Sequence, residues 1–257
     1  HKFGITLRKT MSKLPISVGI LSWNSPQTLV ETLTSYFERE FLHNVNDVCI
    51  LFNEVSEEDK KVAEHFGIPY IGKETNIGIG KGFKELTEQC KTDNVLILEN
   101  DWQLIESLET TIERLQSGLD LLNSGVDVVR YRHRKNPGHP HFSFRFQGRE
   151  LDYYDDWHQV TSPHLLDAIH WTEEPDKKFE DLIGKNGEYF TTTSRYGNWT
   201  NNPCLYKKEF YLSVIEPFMG EGIDLERKIA YWWPRQDFRV VHGEGLFTHK
   251  DLAKYGK

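Results

Sequence analysis

The sequence predicts an α/β fold, a single domain built on a mostly parallel central sheet with helices on both faces. Three observations carry that expectation. Short β-type runs alternate with helical stripes across residues 15–132. The links between them are short, as in crossover-connected parallel sheets. Val95-Leu96-Ile97-Leu98 is an unbroken apolar run of the kind that is covered on both faces. A chain of 257 residues is long enough for one mid-sized core. With 38% hydrophobic and 27% charged residues, it is neither a disordered chain nor an all-apolar membrane protein.

The elements follow in order. Residues 1–14 are read as an N-terminal extension, either an expression remnant or the cut end of a longer chain, because Met11-Ser12-Lys13 resembles a natural start. Ile16–Leu21 is the first strand and stops at Ser22-Trp23-Asn24. Ser25 then offers an N-cap and Pro26 a first helical residue, and Leu29, Leu33, Phe37 and Phe41 form one stripe. Val48–Phe52 is the second strand. Ser56 opens a capping box with Asp59, and that helix ends at Gly67 with Pro69 beyond it.

A short strand over Ile68–Ile71 leads into Asn76-Ile77-Gly78-Ile79-Gly80, followed by a helix through Phe83, Leu86 and Cys90. The buried strand Val95–Leu98 ends abruptly at Glu99-Asn100-Asp101. Leu108, Ile112, Leu115, Leu119 and Leu122 mark a further helix, closed by Gly125, and Val126–Tyr131 returns as a strand. Residues 133–200 keep no period and read as long loops over the sheet. A strand through Cys204–Tyr206, a helix over 223–233 stopped by Pro234, and a last strand Phe238–His242 complete the chain. The expected division is a ligand-binding half, 15–132, and a second half of the same domain, 133–257.

The charge balance of 31 Lys+Arg against 39 Asp+Glu, net −8, argues against a nucleic-acid surface, which needs clustered cations. Cys49, Cys90 and Cys204 form no C-x-x-C pair and read as reduced thiols. No apolar run approaches the ~20 residues that span a bilayer. No integral membrane segment is therefore expected, and the cytosol is the expected compartment, with a truncated lumenal domain as the alternative. The sequon Asn198-Trp199-Thr200 carries weight only in a secreted chain. Aromatic residues reach 13%, with seven Trp, more flat amphipathic side chains than a modest core needs.

Glu99-Asn100-Asp101 is the sharpest chemical signal. Two carboxylates two residues apart, at the carboxyl end of a buried strand, stand where open α/β sheets bind ligands. A divalent cation, Mn²⁺ or Mg²⁺, bridging to phosphate oxygens would compensate their charge. Lys81 and Lys84, one helical turn apart on the helix after the glycine segment, are within reach of a diphosphate or simply solvated. His242 and His249 flank a glycine-containing stretch after the last strand, where a lone imidazole is structural or a metal ligand. Trp157 and Trp199 sit in polar surroundings and are candidate acceptor-binding platforms.

In this order and spacing, the segments ending at Trp23-Asn24, Asn53-Glu54-Val55-Ser56, Asn76-Ile77-Gly78-Ile79-Gly80 and Glu99-Asn100-Asp101 resemble the donor-binding half of glycosyltransferases with the A-type fold, in particular family 2. Gly220-Glu221-Gly222-Ile223-Asp224-Leu225 is similar to that family's element holding the catalytic base. The resemblance implies a metal-dependent transfer of sugar from a nucleoside-diphosphate sugar, a UDP-sugar by preference, to a hydroxyl of a glycan or other acceptor, with inversion. It implies donor contacts from Ser22, Trp23, Asn24, Asn53, Asn76, Gly78, Lys81, Lys84 and Asn100. It places the metal on Glu99, Asp101 and His249, and the base at Glu221 or Asp224. Three positions depart from the family pattern: Asn53 and Glu99 each replace an Asp, and Gly222 stands where the base is expected. A sugar-phosphate nucleotidyltransferase is an alternative, but Ser22-Trp23-Asn24-Ser25-Pro26 lacks the glycine-rich, Arg-containing loop it wants. A carbohydrate-binding relative without turnover is the other, supported by Glu99 and Gly222.

Overall fold

The computed structural model describes residues 12–138, 145–146, 149–150, 173–219, 229 and 232–250. The expected helix over 223–233 falls largely outside them, as do Trp157, Glu221 and Asp224.

Strand β1 spans Leu14–Trp23, β2 Val45–Asn53, β3 Tyr70–Gly72 and β4 Asn94–Glu99. These four are parallel, with β1 between β2 and β4. Helices α1 (Pro26–Glu38), α2 (Glu57–Phe66) and α3 (Gly78–Gln89) connect them. The order along the edge, β3-β2-β1-β4, is the crossover arrangement that the alternating pattern predicts.

Period-two alternation divides the apolar side chains between two cores. Ile16, Val18 and Ile20 of β1, with Leu96 and Leu98 of β4, pack under Leu29, Leu33 and Tyr36 of α1 and under α4 (Leu108–Asn123). Val95 and Ile97 face the other way, onto Phe83 and Leu86 of α3 and onto Tyr211 and Ile215. Helices therefore cover both faces.

Beyond β4 the sheet is mixed. The described chain continues through β5 (Trp102–Leu104), β6 (Val128–Arg132), the short pair β7 (Arg145–Phe146) and β8 (Arg149–Glu150), β9 (Gly184–Asn186), β10 (Tyr189–Thr193), β11 (Cys204–Lys207) and β12 (Arg239–His249). Strand β11 enters antiparallel between β4 and β6, β12 runs parallel to β6, and β10 and β9 extend the far edge antiparallel. The stretch expected as loops over 133–200 thus contains a β9–β10 hairpin, and it is part of the sheet.

Several local expectations hold. Ser56 accepts a hydrogen bond from Asp59 N at 3.1 Å while Asp59 Oδ2 accepts from Ser56 N at 2.9 Å, closing the capping box. Gly67 ends α2 with φ +66°. Others change. Ser25 makes no side-chain cap, so Pro26 alone pre-forms the first turn of α1. The chain leaves α1 before Phe41, through Glu40 at φ +54°. Gly78 and Gly80 lie inside the first turn of α3 rather than ahead of it.

Strand β12 also runs further than its sequence suggests. Gly243-Glu244-Gly245 interrupts the apolar pattern, yet the strand passes through it to His249. Gly245 makes this possible: it adopts φ +82°, and a Cβ there would stand 2.3 Å from the Arg132 carbonyl oxygen. None of the helices among the described residues is long and apolar enough to cross a membrane.

Candidate active site

The carboxyl ends of β1, β2 and β4 meet the end of β12 and the start of α3 along one edge. Open α/β sheets bind ligands at this edge. Two assemblies occupy it.

The first lies at the ends of β4 and β12. The chain turns at Asn100-Asp101 and reverses into β5, which pairs with β12 so that His249 lies opposite Trp102. His249 Nε2 comes within 2.9 Å of Asp101 Oδ2. The other carboxylate oxygen, Asp101 Oδ1, is buried and has no hydrogen-bond partner. The imidazole of His249 packs on the Trp102 indole, with ring centres 4.5 Å apart. Trp102 is almost fully buried, and the Arg132 guanidinium carbon lies 5.2 Å from the centre of its ring. Residues ahead of the mid-chain segment close over the strand end: Pro137 O accepts from His249 N at 3.2 Å. Only glycine fits at 138, where φ is +76° and a Cβ would meet the His249 carbonyl oxygen at 2.0 Å.

Helix α1 braces this turn from below. Thr32, Ser35 and Tyr36 share one face, at the spacing that aligns side chains on a helix. Thr32 Oγ1 donates to Asn100 O at 2.6 Å, Tyr36 OH donates to Trp102 O at 2.6 Å, and Leu104 N donates to Ser35 Oγ at 3.0 Å. The backbone that presents Asp101 is therefore pinned on either side of it. Burial, and secondarily the Asp101 charge, push the Tyr36 phenol well above its usual range, so it remains a donor. Asn100 Nδ2 donates to the buried Ser22 Oγ at 3.2 Å, tying the turn to β1.

The second assembly lies at the ends of β1 and β2. Asn24 and Glu54 both adopt left-handed backbone, at φ +47° and +51°. Such conformations in residues other than glycine carry strain and gather at ligand sites. They leave Trp23 51% exposed, with its Nε1 donating to Glu54 Oε2 at 2.9 Å. Asn53, by contrast, is buried: its Oδ1 accepts from Ile77 N at 3.1 Å and its Nδ2 donates to Gly78 O at 3.4 Å. Asn76 Oδ1 accepts from Gly78 N at 2.8 Å, so the start of α3 is organised by two asparagines.

The residues proposed from the sequence thus separate. Ser22, Trp23, Asn24, Asn76, Gly78, Asn100, Asp101 and His249 all lie along the one edge. Glu99 ends β4 opposite Leu21. It does not join Asp101 and His249 in a three-ligand group, and no cluster of three or more His, Cys, Asp or Glu side chains suited to a metal occurs among the described residues. Asp101 lies in the turn beyond the end of β4.

Lys81 is exposed on α3. Lys84 instead pairs with Glu216 at 3.2 Å and, more distantly, Glu88 at 3.9 Å. Trp199 is a correction. It is 5% exposed, edge-on to Trp233 with centres 5.2 Å apart, and belongs to the second core rather than to an acceptor surface.

Sequence reasoning passed over Trp102, Arg132, Thr32 and Tyr36. Polar Thr32 beside Leu33 in an apolar stripe was a usable signal. Nothing local marks Trp102 or Arg132, which reach the site only through the pairing of β12 with β5 and β6.

The donor set at this edge, one carboxylate oxygen without a partner beside an imidazole nitrogen, suits a first-row divalent cation such as Mn²⁺. With two protein ligands, the remaining positions would fall to ligand oxygens and water, as is common where phosphate is bound.

No family model matches the sequence, and no curated protein matches it. Solved structures do match. TarS 1-349 from S. aureus superposes with a TM-score of 0.53 at 14% identity, over 93% of this chain and 60% of that one. Glucosyl-3-phosphoglycerate synthase from Mycobacterium tuberculosis, in complex with Mn²⁺, UDP and phosphoglyceric acid, gives 0.53 at 13%, over 92% and 70%. A mannosyltransferase from Pyrobaculum calidifontis, in complex with GDP-Man and Mn²⁺, gives 0.53 at 10%, over 96% and 59%. The chain spans about three fifths of the length of the TarS 1-349 structures it matches. The protein has the fold of the A-type, nucleotide-diphospho-sugar transferases.

Proposed function

We propose that the protein is a metal-dependent glycosyltransferase that moves a sugar from a nucleoside-diphosphate sugar, a UDP-sugar by preference, to an acceptor hydroxyl. The observation that carries this reading is the Asp101–His249 pair, with its partnerless buried oxygen, at the ligand-binding edge of a fold shared with proteins solved with UDP, UDP-GlcNAc or GDP-Man. Mn²⁺ or Mg²⁺ held there would supply positive charge to the departing diphosphate.

The chain's own residues do the rest. Thr32, Ser35 and Tyr36 fix the turn, so that Asp101 need not reorganise when charge develops beside it. Trp23 offers a flat face for a base, and Asn76 and Gly78 shape the start of α3 beside the phosphate path. Lys81 is the remaining exposed cation of that helix. Residues 15–132 carry most of this machinery, and 133–257 contribute His249 and the acceptor side. Glu221, or Asp224 after it, is the proposed base that takes the acceptor proton, giving inversion. Trp157 is the proposed acceptor contact. The cytosol is the proposed compartment, with a truncated lumenal domain as the alternative.

Donor hydrolysis and transfer, measured over UDP- and GDP-sugars with Mn²⁺, test the reading. Activity should disappear with EDTA and fall by ~10²-fold or more in Asp101→Ala. Binding of Mn²⁺ should weaken in the same variant. A protein that neither binds nor turns over any donor is not this enzyme.

A further inference from the structure

Resting on the reading of Asp101 and His249 as cation ligands, we infer that Lys250 and Glu31 form a clasp that sets the spacing of these two ligands. Both are positioning residues for the cation site. His249 is the last residue of β12, and a chain end frays unless something ties it down. The next residue supplies the tie twice. Lys250 N donates to Asp101 O at 2.8 Å, so the backbone beside the imidazole is bonded to the same residue whose carboxylate the imidazole meets. Lys250 Nζ then reaches α1 and donates to Glu31 Oε2 at 2.5 Å.

The place of Glu31 on α1 gives this pair its weight. Glu31 precedes Thr32, whose hydroxyl holds Asn100 O just ahead of Asp101. Adjacent residues of one helix therefore grip both halves of the site, Thr32 the turn after β4 and Glu31 the end of β12. A ring of contacts closes through Asn100 O, Thr32, Glu31, Lys250 and back to Asp101 O. Such a ring holds two ligands from distant segments at one spacing. Partners outside the ligand shell tune metal affinity in this way, by orienting the ligands.

The two charges allow position to be told apart from field. An ammonium next to a cation ligand repels the ion, and a carboxylate attracts it. Paired, they largely cancel, and geometry is what they contribute. A field effect would therefore move two single variants in opposite directions: loss of the Lys250 charge would tighten cation binding, and loss of the Glu31 charge would weaken it. A clasp opens with the loss of either partner, so both variants weaken binding.

Calorimetric titration of the full chain with Mn²⁺ alone tests the clasp. Lys250→Met removes the ammonium but keeps the aliphatic stem and the backbone bond to Asp101. Glu31→Gln keeps the length and removes the charge. Each should weaken Mn²⁺ binding about two- to fivefold, the scale of a partly exposed ion pair, and the double variant should weaken it no further. Lys250→Arg keeps the pair and should keep the wild-type affinity. The gap between wild type and either single variant should narrow as salt is added, because both side chains are partly open to water. Opposite shifts in the two variants, unchanged affinity in both, additive losses in the double variant, or a gap that salt leaves intact overturn the clasp and leave the reading of the cation site standing. A folded wild type that binds no Mn²⁺ overturns both.

Discussion

At the ends of β1 and β2 the outward side chains are exposed and hold one another, whereas at the ends of β4 and β12 they are half-buried and a helix holds the backbone beside them. Trp23 and Glu54 share one hydrogen bond at the surface and depend on two strained residues, Asn24 and Glu54, for their positions. His249 packs on Trp102, and the backbone on either side of Asp101 makes three hydrogen bonds with side chains of α1. On the proposed function, the difference matches what each half would do. Recognising a base needs surface and tolerates small adjustments. Holding concentrated charge needs fixed dipoles, because a site that must reorganise gives back part of its electrostatic advantage.

The largest effect is expected from loosening the braced half without touching a charged group. Tyr36→Phe keeps the ring in the core and removes only the donor to Trp102 O. A buried carbonyl left unpaired costs about 1–3 kcal/mol. Chemical denaturation should report that loss, and Mn²⁺ affinity should fall with it because the turn carrying Asp101 is freed. Unchanged ion affinity in a destabilised Tyr36→Phe would show that the brace serves stability alone.

Asn53→Ala probes the open half by removing what lies beneath it. Ile77 N loses its acceptor and Gly78 O its donor, one of these at a long 3.4 Å, so a cost near ~1 kcal/mol is expected. Nucleoside-diphosphate affinity should fall for all bases alike, since the start of α3 shifts for each. Undiminished affinity in Asn53→Ala would show that the start of α3 does not depend on these two bonds.

This contrast also explains which parts of the molecule were legible in the sequence. The parallel half of the sheet was, because strand runs such as Val95–Leu98 and helix signals such as Ser56 with Asp59 are written in adjacent residues. The edge itself was legible for the same reason: Trp23, Asn53, Asn76 and Asp101 all end or begin local elements. What failed was non-local. Trp199 looks polar by its neighbours, but it is buried because it meets Trp233 and Tyr206 from other segments. Strand β12 was cut short at His242, because Gly245 breaks the hydrophobic pattern for the very reason that it lets the strand pass Arg132. Glu99 and Asp101, two residues apart, fall on either side of the end of β4, which no adjacent residue marks.

The smallest expected effect comes from the corner that supports the braced half, and it depends on pH. His133 Nδ1 accepts from Asn136 N at 3.0 Å, so its Nε2 carries the proton toward Glu106 Oε1 at 2.7 Å. Arg114 reaches the same oxygen at 3.3 Å and the Gly245 carbonyl at 2.6 Å, joining the corner to the bulge of β12. Burial alone would raise the Glu106 carboxyl, but the hydrogen bond from His133 and the charge of Arg114 hold it below its usual value. A carboxylate depressed in the folded state contributes stability above its unfolded pKa, and loses it as pH falls through the folded one. The stability gap between wild type and Glu106→Gln, measured by denaturant unfolding, should therefore be constant near neutrality and close progressively in acid, below the ordinary glutamate pKa of about 4.3. If the gap persists undiminished into acid, the corner is held by shape rather than charge, and the support of β12 rests on Arg114 and Gly245 without Glu106.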